Sequence, residues 1–336
     1  MKSFKPARIY YEPAIFDYEL GRKLMDHYEK IETPVTEIKS HNYIESLRTQ
    51  HNANFTKLKQ YLIIGVRKTH KYTDNHKVSD YIVPYTSSGC PAMCTYCYLV
   101  CNFNTCSYLR LFVNREEMMT RMIKKAQSTP QITTFEIGSN SDLVMENTIT
   151  GNLPWTINTF NQQPSGKLTF PTKFDMVDDL LPLNHQGRII PRVSLNPELI
   201  INRAEIGTSK LDNRIEALNK LCQAGYPCGV LVAPIIFIEN WQKIYEELFI
   251  LMADKFTARA RQTVFFEAIF MTYSYIHNVI NNEALPNTLP IYNRELMAGR
   301  GRGKYCYKEG VRQEGERFLI IMFEKYFPEN KLLYVV

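Results

Sequence analysis

The sequence predicts an α/β protein: a partial (β/α)6 barrel of the TIM-like kind with an N-terminal α/β extension and a C-terminal hairpin and helix. Three observations carry that expectation. From about residue 81 short apolar runs alternate with helical patterns, as parallel strands joined by crossover helices do. The apolar runs end in polar residues, where barrel chemistry sits. The strand–helix units number about six, short of the eight that close a full barrel.

Taken in order, residues 1–80 carry their own α/β pattern: "RIYYEP", a helix at "GRKLMDHYEKI", then "YLIIGVRK". "DYIVPYT" reads as the strand that delivers a cysteine-rich loop, and "EEMMTRMIKKAQ" has apolar positions at helical spacing. "ITTFEIG", "KLTFPTK", "IIPRVSLN" and "GVLVAPIIF" each read as a buried strand, with helices expected near 175–181, 212–224 and 240–255. The domain boundaries expected are 1–80 for the extension, 81–275 for the barrel and 276–336 for the C-terminal addition.

Composition narrows the class. The 336 residues are 45% hydrophobic, more than a single small core needs. No run of about 18 apolar residues is present and the N-terminus has no apolar signal core, so a cytoplasmic protein with no membrane partner is expected. Eight cysteines are too sparse for a disulfide scaffold, and three of them share one motif. The net charge of +6 is modest, but Arg294, Arg300, Arg302, Lys304, Lys308 and Arg312 are opposed in their stretch only by Glu295 and Glu309.

The motif is "SSGCPAMCTYCYL", with Cys90, Cys94 and Cys97 in C-x3-C-x2-C spacing. Three thiolates are one ligand short of a closed tetrahedral zinc site, which Cys101 is placed to complete. They equally suit a 4Fe-4S cluster with one iron left open to a substrate or cofactor. A zinc-knuckle nucleic-acid-binding module therefore stands beside an iron–sulfur enzyme.

The spacing, with an aromatic before the third cysteine, resembles the radical S-adenosyl-L-methionine signature. Beyond it, "YLRLFVN", "TFPTKFDMVDDLL", "RVSLN", "GTSKLDNRIEALNKLCQAGYPCGVLVAPI" and "GKYCY" resemble the spore photoproduct lyase family in order and separation. "YYEPAIFDYELGRKL" and "YLIIGVRKTHKY" extend the likeness over nearly the whole chain. The resemblance implies a DNA-repair lyase that cleaves a methylene-bridged thymine dimer to two thymines. The cofactors implied are a 4Fe-4S cluster and S-adenosyl-L-methionine, which together generate a 5'-deoxyadenosyl radical. The partners implied are lesion-bearing duplex DNA and a flavodoxin- or ferredoxin-type electron donor, with the protein a monomer. A radical enzyme of the same fold acting on another nucleotide or on a peptide is the alternative.

Residue by residue, the resemblance makes Cys90, Cys94 and Cys97 cluster ligands. It makes Ser141, Lys173, Ser194 and Ala233 contacts to S-adenosyl-L-methionine, and Tyr96 and Tyr98 residues of the hydrogen-return path. Each has a plainer reading: a solvated lysine, barrel packing, packed tyrosines, and a helix cap for Ser141 and Asp142. "MAGRGRGKYCYKEGVR" resembles the family's DNA-inserting hairpin, so Arg300, Arg302, Lys304 and Tyr305 are expected at the lesion, with Tyr305 and Tyr307 able to stack on bases. Arg300 and Arg302 are interchangeable as the inserting residue.

Two departures stand out. "FEIGSNSD" puts Ser139 where the family pattern has a hydrogen-donating cysteine, and a serine O–H bond is much harder to break homolytically. Cys101 or Cys106 are candidate replacement donors. At "FFEAIFMTYSY", residues Phe270 to Ser274 replace a family segment rich in polar and basic residues.

Overall fold

The computed structural model describes residues 4–102 and 108–336, and the side chains of all of these except 101 and 102. Cys106 and the Cys101 side chain therefore lie outside the described residues. The chain divides into two compact units, 1–91 with 102–170 and 182–189, and 92–101 with 171–181 and 190–336.

In the first unit, strands Arg8–Tyr11, Tyr61–Gly65 and Leu109–Phe112 run parallel. Val35–Glu37 flanks them on one side and the antiparallel Ser87–Ser88 on the other. Ile9, Leu62, Ile64 and Leu109 are fully buried, which explains why the strands read as unbroken apolar runs. Helix Glu19–Lys30 buries Leu20, Leu24, Met25 and Tyr28, one face at helical spacing. Helix Arg115–Gln127 buries Met118, Met119, Met122 and Ala126, with Glu116 and Glu117 in its first turn and Lys124 and Lys125 in its last, matching the helix dipole.

The same unit carries Thr73–Asp74, Tyr81–Ile82, Thr134–Glu136 and Lys167–Thr172 as paired strands. "DYIVPYT" is a strand only at Tyr81–Ile82. Val83 still donates to the Glu136 carbonyl at 2.8 Å, and Pro84, which has no N–H, ends the ladder there. The helix expected at 175–181 is a single 3-10 turn, Asp178–Leu180.

The second unit repeats the strand–helix alternation. Ile189–Leu195, Gly229–Ile235, Phe265–Phe270 and Leu332–Val335 form parallel neighbours. Helices Leu211–Gln223, Trp241–Lys255 and Glu309–Tyr326 follow their strands in the chain. At Gly315 an added Cβ would meet the Phe237 ring at 2.4 Å and the Phe270 ring at 2.9 Å, so the last helix packs at this point only because it has no side chain. A short pair, Met93–Cys94 with Glu205–Ile206, carries the cysteine loop. Thr272–Ser274, Lys304–Tyr307 and Met297–Gly299 make a small antiparallel sheet, in that order.

Candidate active site

The strand ends of the second unit gather four of the residues singled out in the sequence. Lys173, just past its strand, donates from Nζ to Ser194 Oγ at 2.6 Å and to the Ala233 carbonyl at 3.0 Å. Ser194 Oγ donates to the same carbonyl at 2.9 Å. The Lys173 ammonium also lies 5.9 Å from the centre of the Tyr96 ring.

Beneath them sits a residue that sequence reasoning passed over. Glu205 is fully buried and takes Lys173 Nζ at 3.4 Å on Oε1 and Arg214 Nη2 at 2.6 Å on Oε2. The Tyr96 hydroxyl donates to Glu205 Oε1, and Asn196 Nδ2 donates to the same oxygen at 3.1 Å. Burial alone would push the Glu205 carboxyl up. The Lys173 and Arg214 charges, with hydrogen bonds from Tyr96 and Arg214, outweigh that and hold it at about 2. Tyr96 is driven the other way, well above the usual phenol range, by burial first and by the Glu205 charge second. The result is a fixed carboxylate that positions an ammonium and a neutral phenol.

Arg214 was legible in principle. It shares the buried face of its helix with Leu211, Ile215, Leu218 and Leu221, and an arginine on an apolar stripe requires a buried acid. It also donates from Nη1 to the Ser194 carbonyl at 3.0 Å, so one side chain braces two strand ends.

The cysteine loop is tied to this network. Cys94 pairs in register with Glu205, and the Thr95 N–H donates to the Ala204 carbonyl at 2.9 Å. On its other side helix Tyr275–Ala284 grips the loop. The His277 N3 position closes a capping box with Ser274, whose N–H donates to Nδ1 at 3.2 Å. That leaves Nε2 to donate to the Cys97 carbonyl at 2.9 Å. Asn281 Nδ2 donates to the Thr95 carbonyl at 2.8 Å. Burial pushes the His277 pKa down, which keeps the ring neutral in this role. The helix was not expected, since "YIHNVINNEA" is poor in strong helix formers.

Cys90, Cys94 and Cys97 are in no disulfide, and each is half-buried. Cys90 falls in the first unit and the other two in the second. Among the described residues no set of three or more His, Cys, Asp or Glu side chains is drawn together as a metal site. The donor set itself suits a 4Fe-4S cluster: three unbridged thiols on one short loop whose backbone is pinned at Thr95 and Cys97. In the first unit Lys59, itself buried, donates to the Cys90 carbonyl at 2.6 Å. Tyr98 is exposed.

Ser141 lies in the first unit, at the end of strand Thr134–Glu136. Its Oγ is 2.6 Å from Ser87 Oγ, which in turn is 2.5 Å from the buried Glu146 Oε2. Asp142 caps helix Leu143–Thr150, accepting from the N–H groups of Val144 and Met145. Ser139 donates to Glu136 Oε1, so its hydroxyl is turned to its own strand.

The basic segment is a hairpin. Arg300 and Lys304 close its turn, Arg300 N to Lys304 O at 2.7 Å. Gly301, Arg302 and Gly303 all have positive φ, 83°, 53° and 67°, so the glycines let the turn hold Arg302 at its tip. Arg300, Arg302 and Lys304 are exposed. Tyr305 is half-buried, packing edge-on to Tyr292 at 5.0 Å. Tyr307 is not a stacking residue: it is buried, its ring 4.5 Å from Phe237, and its hydroxyl accepts from the Phe237 N–H at 2.9 Å. Tyr305 and Tyr307, two apart on one strand, share a face, and they differ in what they meet there: Phe237 for Tyr307 and Tyr292 for Tyr305. The departing segment Thr272–Ser274 is the neighbouring strand of this hairpin, with Tyr273 stacked on Tyr292.

With that geometry in hand, comparison with known proteins is decisive. A family model described as spore photoproduct lyase matches residues 4–336. The chain belongs to the spore photoproduct lyase family. The spore photoproduct lyase of Bacillus subtilis (strain 168) is 34% identical over 98% of both chains, and that of Geobacillus sp. (strain Y412MC61) is 31% identical over 99% of both. Among solved structures, a variant of spore photoproduct lyase with bound AdoMet and dinucleoside spore photoproduct covers 100% of both chains with a TM-score of 0.92 and 30% identity. A spore photoproduct lyase complexed with dinucleoside spore photoproduct aligns equally well, TM-score 0.92. The fold is accordingly the curled, partial-barrel α/β fold of this family, as the strand pattern predicts.

Proposed function

We propose that this member of the spore photoproduct lyase family is a DNA-repair lyase that splits the methylene-bridged thymine dimer into two thymines by radical S-adenosyl-L-methionine chemistry. The observation that supports it most is the full-length likeness to lyase structures solved with the dinucleoside lesion bound. Cys90, Cys94 and Cys97 would hold the 4Fe-4S cluster. When bound, the reduced cluster supplies the electron that divides S-adenosyl-L-methionine into methionine and a 5'-deoxyadenosyl radical.

The chain's own residues bind and orient. Lys173, held by Glu205, offers an ammonium to the methionine carboxylate as a point charge. Ser194, Ser141 and the Ala233 backbone supply neutral contacts to the same cofactor. Tyr96 and Tyr98 serve the return of a hydrogen atom to the product. Arg300, Arg302, Lys304 and Tyr305 engage the damaged duplex, with Arg302 as the inserting residue because it occupies the turn's tip. In this reading 81–275 carries the cofactor chemistry and 276–336 the substrate hairpin, with 1–80 as the extension. The protein acts as a monomer and takes its electron from a flavodoxin- or ferredoxin-type donor. Among the described residues no helix is long and apolar enough to cross a membrane.

A second reading, the same radical chemistry on a different nucleotide or a peptide, is favoured by one observation: this chain departs from the family pattern at Ser139 and at Phe270 to Ser274, the latter including the strand beside the hairpin. Anaerobic incubation of reconstituted protein with lesion-bearing oligonucleotide, reductant and S-adenosyl-L-methionine distinguishes them. Thymine release supports the lyase, and cofactor cleavage without it supports the second reading.

A further inference from the structure

A cationic cavity in the first unit is used by none of this chemistry. Arg67 and Lys68 leave the end of strand Tyr61–Gly65 and, with Arg110 from strand Leu109–Phe112, line a cavity of ≈ 140 Å³. His41, Asn42, Thr69, Ser88 and Asn140 add polar groups to its wall, and among the described residues no Asp or Glu lines it. That volume admits a tetrahedral oxyanion with a few waters, at roughly 30 Å³ per water.

The two guanidiniums are built in place. Arg67 donates from Nε to the Tyr85 carbonyl at 2.9 Å and lies 3.8 Å over the Phe112 ring. Asn114 clasps its backbone, accepting from the Arg67 N–H and donating to its carbonyl, both at 2.9 Å. Arg110 is buried and donates from Nε to Ser88 Oγ at 3.0 Å. The acids behind the wall are already engaged. Glu12 bonds His41 Nδ1 at 2.9 Å and the Val66 N–H at 2.9 Å, and Glu146 accepts from Thr86, Ser87 and Asn152. Burial, and secondarily the charge of Arg110, brings Arg67 down to about 10, and burial does the same to Arg110. Both stay protonated at neutral pH, so the cavity presents two like charges, with the Glu146 carboxylate acting on Arg67 from behind the wall, and a bound anion would complement them. A planar guanidinium fork matches phosphate oxygens in pairs.

The cations continue beyond this cavity, which suits a strand rather than a lone ion. The segment running on from Arg67 carries Lys68, His70 and Lys71, and His70 and Tyr72 line a second, open cavity of ≈ 350 Å³ with Arg121, Lys124 and Lys125. Tyr72 is the aromatic of that groove, packed against Tyr81, over whose ring Lys125 lies at 4.9 Å. We propose that the Arg67–Arg110 cavity takes one phosphodiester of a nucleic-acid strand, whose neighbouring phosphates follow residues 68–72 to the last turns of helix Arg115–Gln127. The inference deepens the reading of the chain as a DNA enzyme and rests on it.

The test is the salt dependence of duplex DNA binding by full-length protein, read beside thermal midpoints in sulfate and in chloride at equal ionic strength. Lys68→Gln with Lys124→Gln, both at exposed positions, should lower the slope of log K against log salt by about two, one for each phosphate no longer neutralised. Sulfate should raise the midpoint of the wild type and not that of Arg110→Gln. An unchanged slope in the double variant, while Arg302→Ala still lowers it, overturns the proposal and leaves the DNA reading intact. Sulfate stabilisation with an unchanged slope means a free oxyanion and overturns the strand. Wild-type protein that binds no duplex at any salt overturns the DNA reading itself.

Discussion

Glu205 is the residue on which the cofactor end of the site turns. It fixes Lys173 and Tyr96 from below while Arg214 neutralises it from within. Its pKa is depressed in the fold, so its contribution to stability is complete above the unfolded carboxylate value and is lost as pH falls toward about 2. The drop from 4.5 to about 2 corresponds to about 3 kcal/mol at roughly 1.4 kcal/mol per pH unit. Glu205→Gln should therefore flatten the acid side of the stability–pH curve, and at pH 7 it should cost about 3–5 kcal/mol because it strands buried Arg214. Denaturant melts from pH 7 to pH 3 check both effects; a variant with the wild-type pH slope contradicts the assignment. Ser139 gives a second prediction at this scale. If its position still faces the lesion, Ser139→Cys restores a weak S–H bond there and should raise the fraction of clean thymine product over radical by-products. Product chromatography reads this directly, and an unchanged product ratio contradicts the position's role.

At the scale of elements, two pieces hold the reactive parts: helix Tyr275–Ala284 behind the cysteine loop, and the Arg302 hairpin. His277→Ala removes the bond to the Cys97 carbonyl and half of the capping box, so cluster retention should fall severalfold while the fold loses only about 1 kcal/mol. Iron and sulfide content after anaerobic reconstitution, set against the thermal midpoint, separates the two; full iron content would contradict the helix's part in holding the loop. For the hairpin, Arg300→Ala with Arg302→Ala should lower the DNA salt slope by about two if both meet phosphates, and an unchanged slope contradicts that.

These elements also show what could be read beforehand. Lys173, Ser194 and Ala233 were legible through the family resemblance of "PTK", "RVSLN" and "LVAP", and the hairpin through its likeness to the family's, with glycines at 301 and 303 alternating with cations. Glu205 was not, because nothing local in "NRAEIG" marks a buried acid; its meaning comes from Arg214, nine residues on along the chain. Helix Tyr275–Ala284 was hidden because its stability comes from a cap and from the loop it holds rather than from propensity. For Tyr307 the sequence left stacking and packing both open, and its contact with Phe237, far off along the chain, decides for packing.

For the whole molecule, family membership spans residues 4–336, so the cofactor loop and the basic hairpin belong to one inherited design. The +6 charge is distributed unevenly: on the hairpin, and on the Arg67–Lys125 track of the first unit. Both are suited to a polyanion, while the ordered network at Lys173 is suited to a small zwitterion. The central claim is that this chain repairs the methylene-bridged thymine dimer, and anaerobic single-turnover repair tests it most directly. Reconstituted enzyme, dithionite, S-adenosyl-L-methionine and a duplex bearing one lesion should give two thymines per lesion, and Cys90→Ala, Cys94→Ala and Cys97→Ala should each abolish both thymine release and cofactor cleavage. Cofactor cleavage by the wild type that leaves the lesion intact would contradict the account.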